Sequence, residues 1–355
     1  MWRGVATPGR WKARPCSGRS AGALPDARKN IINMNHPFHL QRRPGVTAVH
    51  SIDRMVFTVP DLNVAQAFYT AFGLDARRVD EGRLDIYAFG HPHCWVTVHA
   101  AAGAKQLQYV CWGIDEDDLA IWRQRIAQFG IACAPHPMSE REGLWLRNPD
   151  GIAQQLVVAS KVSPSSKSQH SPRAAVPAGH GAAPARSAVA QVRPRWLSHA
   201  LFFTPDVKRM LDFHVQVLGL RLSDHSGEII AFAHGPHGSD HHLIALAKST
   251  HPGLHHTSWD VGSIDDVGCG AEQMRTAGHT QGWGMGRHVL GSNYFHYVRD
   301  PWGSYAEYSF DIDFVPYDLD WPAADHPAHD SLYVWGSALP QDFITNYEPQ
   351  TGENT

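Results

Sequence analysis

Residues 286–309, GRHVLGSNYFHYVRDPWGSYAEYS, read as two short strands around a tight turn. Tyr294–Val298 alternates like a half-buried strand, and DPWG at 300–303 has Pro and Gly where a type I turn places them. Tyr305–Ser309 is the returning strand. Alternation puts Tyr305, Glu307 and Ser309 on one face and Ala306 and Tyr308 on the other. The hairpin then carries Glu307 back beside Tyr297. A carboxylate among aromatic residues on an inner strand is costly unless it is paired or bound to a metal.

Outward from this hairpin, the chain repeats itself. RMVFTVPD at 54–61, followed by AFYTAFGL, matches HALFFTPD at 199–206, followed by DFHVQVLGL. YVCWGI from Tyr109 matches HTSWDV from His256, and RNPDG from Arg147 matches RDPWG from Arg299. In the first copy Arg54–Val59 is a strand, and Pro60–Asp61 opens a helix with Ala65, Phe68, Tyr69 and Phe72 on its apolar face, closed by Gly73. Strands follow at Asp85–Phe89 and Trp95–His99. A second unit runs from a strand at Gln108–Trp112 through a helix at Glu116–Phe129, stopped by Gly130. It ends in a hairpin, Leu144–Arg147 and Gln154–Val158. The expected fold is therefore α+β: two copies of one domain, each built from paired βαβββ modules.

The 355 residues leave room for two domains, and a formal charge of -3 points to neither nucleic acid nor a membrane surface. No apolar run approaches the roughly 20 residues of a membrane-spanning helix. The five cysteines (Cys16, Cys94, Cys111, Cys133 and Cys269) are scattered without a CxxC, as in reduced thiols of a cytoplasmic protein. Residues 1–43 are Arg-rich and aperiodic, and are expected to be a disordered leader, with Met34 as an alternative start. Residues 160–195 consist of Ser, Pro, Ala, Gly and basic residues without one Asp or Glu, a composition expected of a flexible linker.

Comparing the copies separates scaffold from chemistry. Where the second copy has His199, His256 and Glu307, the first has Arg54, Tyr109 and Gln155. The fold does not need imidazole or carboxylate at those places. Two histidines on the first strands of neighbouring units, with a carboxylate on a last strand, make the 2-His-1-carboxylate set that suits non-haem Fe(II).

With these residues in view, the second half resembles the type I extradiol ring-cleavage dioxygenases of the vicinal-oxygen-chelate superfamily. The first half resembles their non-catalytic N-terminal domain. The resemblance implies two vicinal-oxygen-chelate domains, each an incomplete β-barrel with helices outside. It places a non-catalytic domain at 44–159, a catalytic domain at 196–312 and an extension at 313–355. It implies Fe(II), with Mn(II) as the alternative, held by His199, His256 and Glu307. His242 in DHHLIAL falls on the family's acid/base histidine, and His288 and Tyr297 on the histidine and tyrosine beside the metal. The substrates implied are a catechol and O2, and the product a hydroxymuconic semialdehyde, with the chain as a homo-oligomer.

Two neighbours compete for these roles. Strand alternation turns one of His255 and His256 inward, and the repeat favours His256. His241 and His242 pose the same choice, and the following Leu-Ile-Ala favours His242. Arg287 is expected to point away from the site. His91 and His93, beside Cys94, lie in the copy without the triad. The tail, with Trp321, Trp335 and Phe343, is expected to act as a lid, in subunit packing or equally as a surface extension. Rival readings are a ligand-sequestering resistance protein and a glyoxalase-like isomerase.

Overall fold

A computed structural model describes residues 42–172 and 175–348. The expected leader lies outside these residues except for Arg42 and Arg43, which are tied down. Arg42 pairs with Asp115 and Asp118, and the Arg43 N–H donates to His237 Nδ1 at 3.2 Å.

The first half consists of β1 (Ser51–Val59), α1 (Leu62–Phe72), β2 (Asp75–Asp80), β3 (Arg83–Tyr87), β4 (Cys94–Ala100), β5 (Gln106–Ile114), α2 (Leu119–Phe129), β6 (Leu144–Arg147) and β7 (Ala153–Val158). Its sheet runs β2-β3-β4-β1-β5-β7-β6. The second half holds β8 (Trp196–Thr204), α3 (Val207–Gln216), β9 (Arg221–Ser226), β10 (Ile230–His234), β11 (Ser239–Asp240), β12 (Ile244–Lys248), β13 (Gly253–Asp260), α4 (Ile264–Thr276), β14 (Gly282–His288), β15 (Tyr294–Arg299) and β16 (Tyr305–Phe310). The tail adds β17 (Phe314–Val315), β18 (Ala324–Asp325) and β19 (Tyr333–Gly336).

The second sheet runs β18-β9-β10-β12-β8-β13-β16-β15-β14-β19. Without the two tail strands and β14, this is the order of the first sheet. The parallel pairs correspond too: β1 with β4 and β8 with β12, β5 with β7 and β13 with β16. Both sheets are open. One correction to the expected modules concerns the first half, whose second unit has an isolated bridge, Ala132–Leu146, where the second half has β14.

Local chemistry explains the helices. Asp61 accepts from the N–H groups of Asn63 and Val64, and Asp206 accepts from that of Arg209, so both first helices start on a carboxylate cap. Gly73 ends α1 at φ 97, and a Cβ there would lie 2.0 Å from the Val192 carbonyl oxygen, so the close approach also demands glycine.

The apolar core is continuous across both halves, and Phe72 of α1 stacks on Tyr308 of β16 at 3.9 Å. The Tyr308 hydroxyl donates to the Phe72 carbonyl at 2.8 Å, and Lys105 pairs with Asp300 at 2.5 Å in a buried bridge between the halves. The 160–195 segment contains no strand among its described residues, as its composition suggests, but its ends are held. Ser168 and Arg195 both bond the Asp260 carboxylate, and Val192 N–H donates to Gln273. Buried Asp260 attracts these partners because an unpaired carboxylate there would be costly. No helix among the described residues is long and apolar enough to cross a membrane.

Candidate metal and acid–base site

β8, β13 and β16 lie side by side, and their register aligns His199, Ser258 and Glu307 in one row. The first half has the same row, occupied by Arg54, Cys111 and Gln155. In each central strand one extra residue, Gln108 or His255, interrupts the pairing beside Tyr109 or His256. Such a bulge re-aims the neighbouring side chain. The sequence repeat is thus a repeat of register, down to its irregularity.

This row brings His199 Nε2 to 3.3 Å and His256 Nε2 to 3.6 Å from Glu307 Oε2. One ligand atom from each residue lies within 4.8 Å of the others, and all three residues are buried. Among the described residues no second such group is found. His256 Nε2 and Glu307 Oε2 are buried without a hydrogen-bond partner. Orphaning a buried polar atom costs about 1–3 kcal/mol, more for a charged one. A cation among these atoms would remove that cost, so the donor set fits a divalent metal.

The ring orientations are set from behind. His255 Nε2 reaches the Phe343 carbonyl at 2.7 Å, which can only accept, so the proton of His255 sits there. Its Nδ1 is then a lone pair that accepts from His256 Nδ1 at 2.7 Å. His256 Nε2 is left unprotonated and faces Glu307. His199 follows the same logic: Ser198 donates to Asp240 at 2.6 Å and accepts from His199 Nδ1 at 3.2 Å. Metal-binding histidines are commonly fixed in this way. Asn293 donates to Glu307 Oε1 at 3.1 Å.

Burial tends to raise the Glu307 pKa, but its contacts with His199, His288 and Ser258 together hold the carboxyl below its ordinary value. Burial and the neighbouring histidines push His256 well below its usual range. Asp240, wholly buried, is pushed up to about 7.

His288 and Tyr297 stand beside Glu307. The His288 Nδ1–H donates to the Leu332 carbonyl at 2.8 Å, so its Nε2 accepts from the Tyr297 hydroxyl at 2.9 Å. Burial raises the Tyr297 pKa well above 10, with Glu307 adding to the effect, so the phenol stays a donor. Tyr297 pairs directly opposite Glu307, the juxtaposition expected of the hairpin.

His242 lies on the loop before β12, its ring 4.1 Å from that of His199. Burial, with the charges of nearby histidines, lowers its pKa well below 6.5. Its Nδ1 meets His241 Nδ1 at 3.1 Å, and His241 Nε2 meets Asp224 at 2.8 Å. Here the in-or-out reading of adjacent histidines needs correction. His241 and His255 are as buried as their partners, and each hydrogen-bonds the histidine that follows it. A loop in one case and a bulge in the other break the alternation.

Arg287 is engaged elsewhere, donating to Ser292 O and Tyr294 Oη at 3.1 Å each. His93 bonds the Asp53 carbonyl at 2.6 Å and packs on Trp95 with His91. In the first half Cys111 Sγ–H donates to Gln155 at 2.9 Å, which closes the row without a metal.

The tail packs and hydrogen-bonds against Tyr297, His255 and His288. Phe343 packs on Tyr297 and Tyr305, while Trp321 and His326 donate to Asp224. Trp335 is exposed. Sequence reasoning missed Ser198, Asp224, Asp240, Asn293 and the two tail carbonyls. The only available signal was polar residues immediately preceding ligands, as in Ser198–His199.

The family model for the Glyoxalase/Bleomycin resistance protein/Dioxygenase superfamily matches residues 196–308. Metapyrocatechase 2 of Cupriavidus necator is 50% identical over 302 residues, covering 85% of this chain and 93% of that protein. A Mn(II)-bound glyoxalase from Novosphingobium aromaticivorans superposes with a TM-score of 0.70 at 25% identity, covering 86% of this chain and 97% of that one. A homoprotocatechuate 2,3-dioxygenase mutant from Brevibacterium fuscum does so with a TM-score of 0.68 at 18% identity, over 87% and 85% of the two chains, which supports the fold alone. Half of the residues shared with a metapyrocatechase over nearly its whole length, on a fold whose second half gathers two histidines and a carboxylate, make this chain a member of the extradiol ring-cleavage dioxygenases.

Proposed function

We propose that the chain cleaves a catechol next to its diol with O2, using Fe(II) held by His199, His256 and Glu307. The observation that carries this reading is the matched register row, His199-Ser258-Glu307 with His256 beside it in one half and Arg54-Cys111-Gln155 in the other. When bound, the metal would gather the diol and O2 in one coordination sphere and lower the charge barrier between them.

The chain's own residues handle protons and orientation. Neutral His242, its Nδ1 occupied by His241, offers Nε2 to take a proton from a substrate hydroxyl and return it later. The Tyr297 phenol, held as a donor, and His288 orient the oxygens of the bound diol. Phe343, Tyr305 and Trp283 keep water from the aromatic ring. An apolar or alkyl- or aryl-substituted catechol suits these walls, since no arginine among the described residues hydrogen-bonds a proposed site residue. Iron in preference to manganese rests on the ligand type, two imidazoles and one carboxylate.

The test is iron-loaded protein incubated with catechol in air. Purified enzyme should hold about one metal per chain and form a yellow ring-opened product with one O2 consumed. His199→Ala should lose both metal and turnover. Catechol bound without O2 uptake would favour a sequestering protein, and isomerisation of a thiohemiacetal without O2 would favour a glyoxalase.

A further inference from the structure

The side chains behind His242 form a continuous chain that the proposed reaction does not itself require. His241 is fully buried, with Nε2 on Asp224 at 2.8 Å and Nδ1 on His242 at 3.1 Å. Asp224 is clamped in turn. It accepts from Trp321 Nε1 at 3.2 Å, from the Ala324 N–H at 3.1 Å and from His326 Nε2 at 2.7 Å, all donors from the tail. The His241 backbone is pinned as well, its N–H on the Asp313 carbonyl at 2.6 Å and its carbonyl on the Ser223 hydroxyl. Trp321 and Phe232 pack on the His241 ring and hold its plane.

The proton positions follow. A carboxylate surrounded by donors can only accept, so His241 carries its proton on Nε2 and its Nδ1 is a lone pair. That lone pair takes the Nδ1–H of His242. His242 Nε2 makes no hydrogen bond among the described residues, and it is the nitrogen left to meet substrate.

We infer that Asp224 and His241 are positioning residues for ring cleavage, which fix the tautomer and orientation of His242 and are themselves locked by the C-terminal tail. This rests on the reading of His242 as the proton carrier. His241 touches neither substrate nor metal ligand and acts only through His242. Its effect should therefore vanish when His242 is gone, which a general loss of packing would not do.

The experiment is a double-mutant cycle on the metal-loaded enzyme with unsubstituted catechol as probe. It measures kcat, KM, metal content and anaerobic catechol binding. His241→Leu should lower kcat about tenfold or more, a share of the roughly 10²–10⁴-fold that a positioned acid/base supplies. Metal content and anaerobic binding should stay within about twofold of the unmodified enzyme. His241→Asn, which keeps a polar atom near the Nδ1 place, should recover part of the loss. In a His242→Asn background, His241→Leu should change kcat by less than about twofold.

Should His241→Leu fail to fold, His326→Ala removes one outer clamp on Asp224 from a partly exposed site. It should lower kcat about threefold, again only when His242 is present. Losses that multiply in the His242→Asn background, losses that track metal content, or an unchanged kcat in the single variants would overturn the inference. A His242→Asn enzyme with full turnover would overturn the parent reading, and this one with it. That outcome is distinct from an active-site role for His242 that ignores His241.

Discussion

Glu307 shows what the site demands of a single residue. Its carboxylate is fully buried, one oxygen bonded by Asn293 and the other facing two imidazole nitrogens without a partner. In metal-free protein one oxygen lacks a partner while the surrounding groups still favour the ionised form, and with a cation the carboxylate becomes the anchor. Glu307→Gln should therefore cost stability with and without metal, and more with it. After chelation the variant should be less stable than the parent by about 1–3 kcal/mol, because a carboxyl held below its ordinary pKa means that the fold favours the charged form over a neutral one. With metal supplied, the parent should gain thermal stability and the variant little, since ligand binding stabilises only the form that binds. Thermal melts with and without chelator read both effects. A variant more stable than the parent in chelator would mean that the carboxylate is a net burden without metal. Glu307 was legible from sequence because strand alternation holds on β16. His241 and His255 were not, because a loop and a bulge suspend the alternation that was used to judge them.

Among the elements, the tail does most to join the parts. The Glu348 carboxylate accepts from Leu107 N–H at 2.9 Å and from Leu254 N–H at 2.7 Å. Leu107 and Leu254 are the same position of the repeat, two residues before Tyr109 and His256, so one side chain closes the same donor in β5 and β13. Burial raises its pKa, yet these two donors favour the ionised form. Glu348→Ala should cost about 2–4 kcal/mol, because both buried donors lose their acceptor. Glu348→Gln should cost less, since its amide oxygen still serves one of them. Urea midpoints would measure both, and an alanine variant within about 0.5 kcal/mol of the parent would mean that water replaces the carboxylate. The repeated strands and first helices could be read from the sequence because their apolar spacing and caps are local. The tail strands could not: β17 and β18 are two residues each and exist only by pairing with distant partners, β11 and β9. The start of β14 was hidden by its glycines. A Cβ on Gly286 would lie 2.4 Å from the Phe295 ring, so close packing and not strand propensity chose the residue.

Across the whole molecule, the histidine count becomes a prediction about acid. His50, His214, His234 and His237 are buried away from the metal ligands, and each is pushed down to about 4, chiefly by burial. On unfolding each returns to about 6.5 and takes up a proton. A depressed folded value means that their contribution is fully present above pH 6.5 and is lost as pH falls through 4. Asp240 and Asp260 work against this. Burial raises them to about 7 and about 6, so their contribution is present below the ordinary aspartate value and is lost as pH rises through 6 and 7. Near pH 5 these four histidines take up roughly three to four protons on unfolding, and the two aspartates give up about two. These six groups alone thus leave the unfolded chain with about two more protons and should lower stability by on the order of 3 kcal/mol for each pH unit of acidification, with His255 and His296, also pushed down to about 4, adding to the fall. Urea unfolding of chelated enzyme between pH 6 and 4.5 would give this slope. His214, whose ring bonds the Met210 carbonyl alone among the described residues, allows a dissection: His214→Gln should reduce the slope by about one proton. A stability that is flat or rising toward pH 4.5 would show that these imidazoles are protonated in the folded chain.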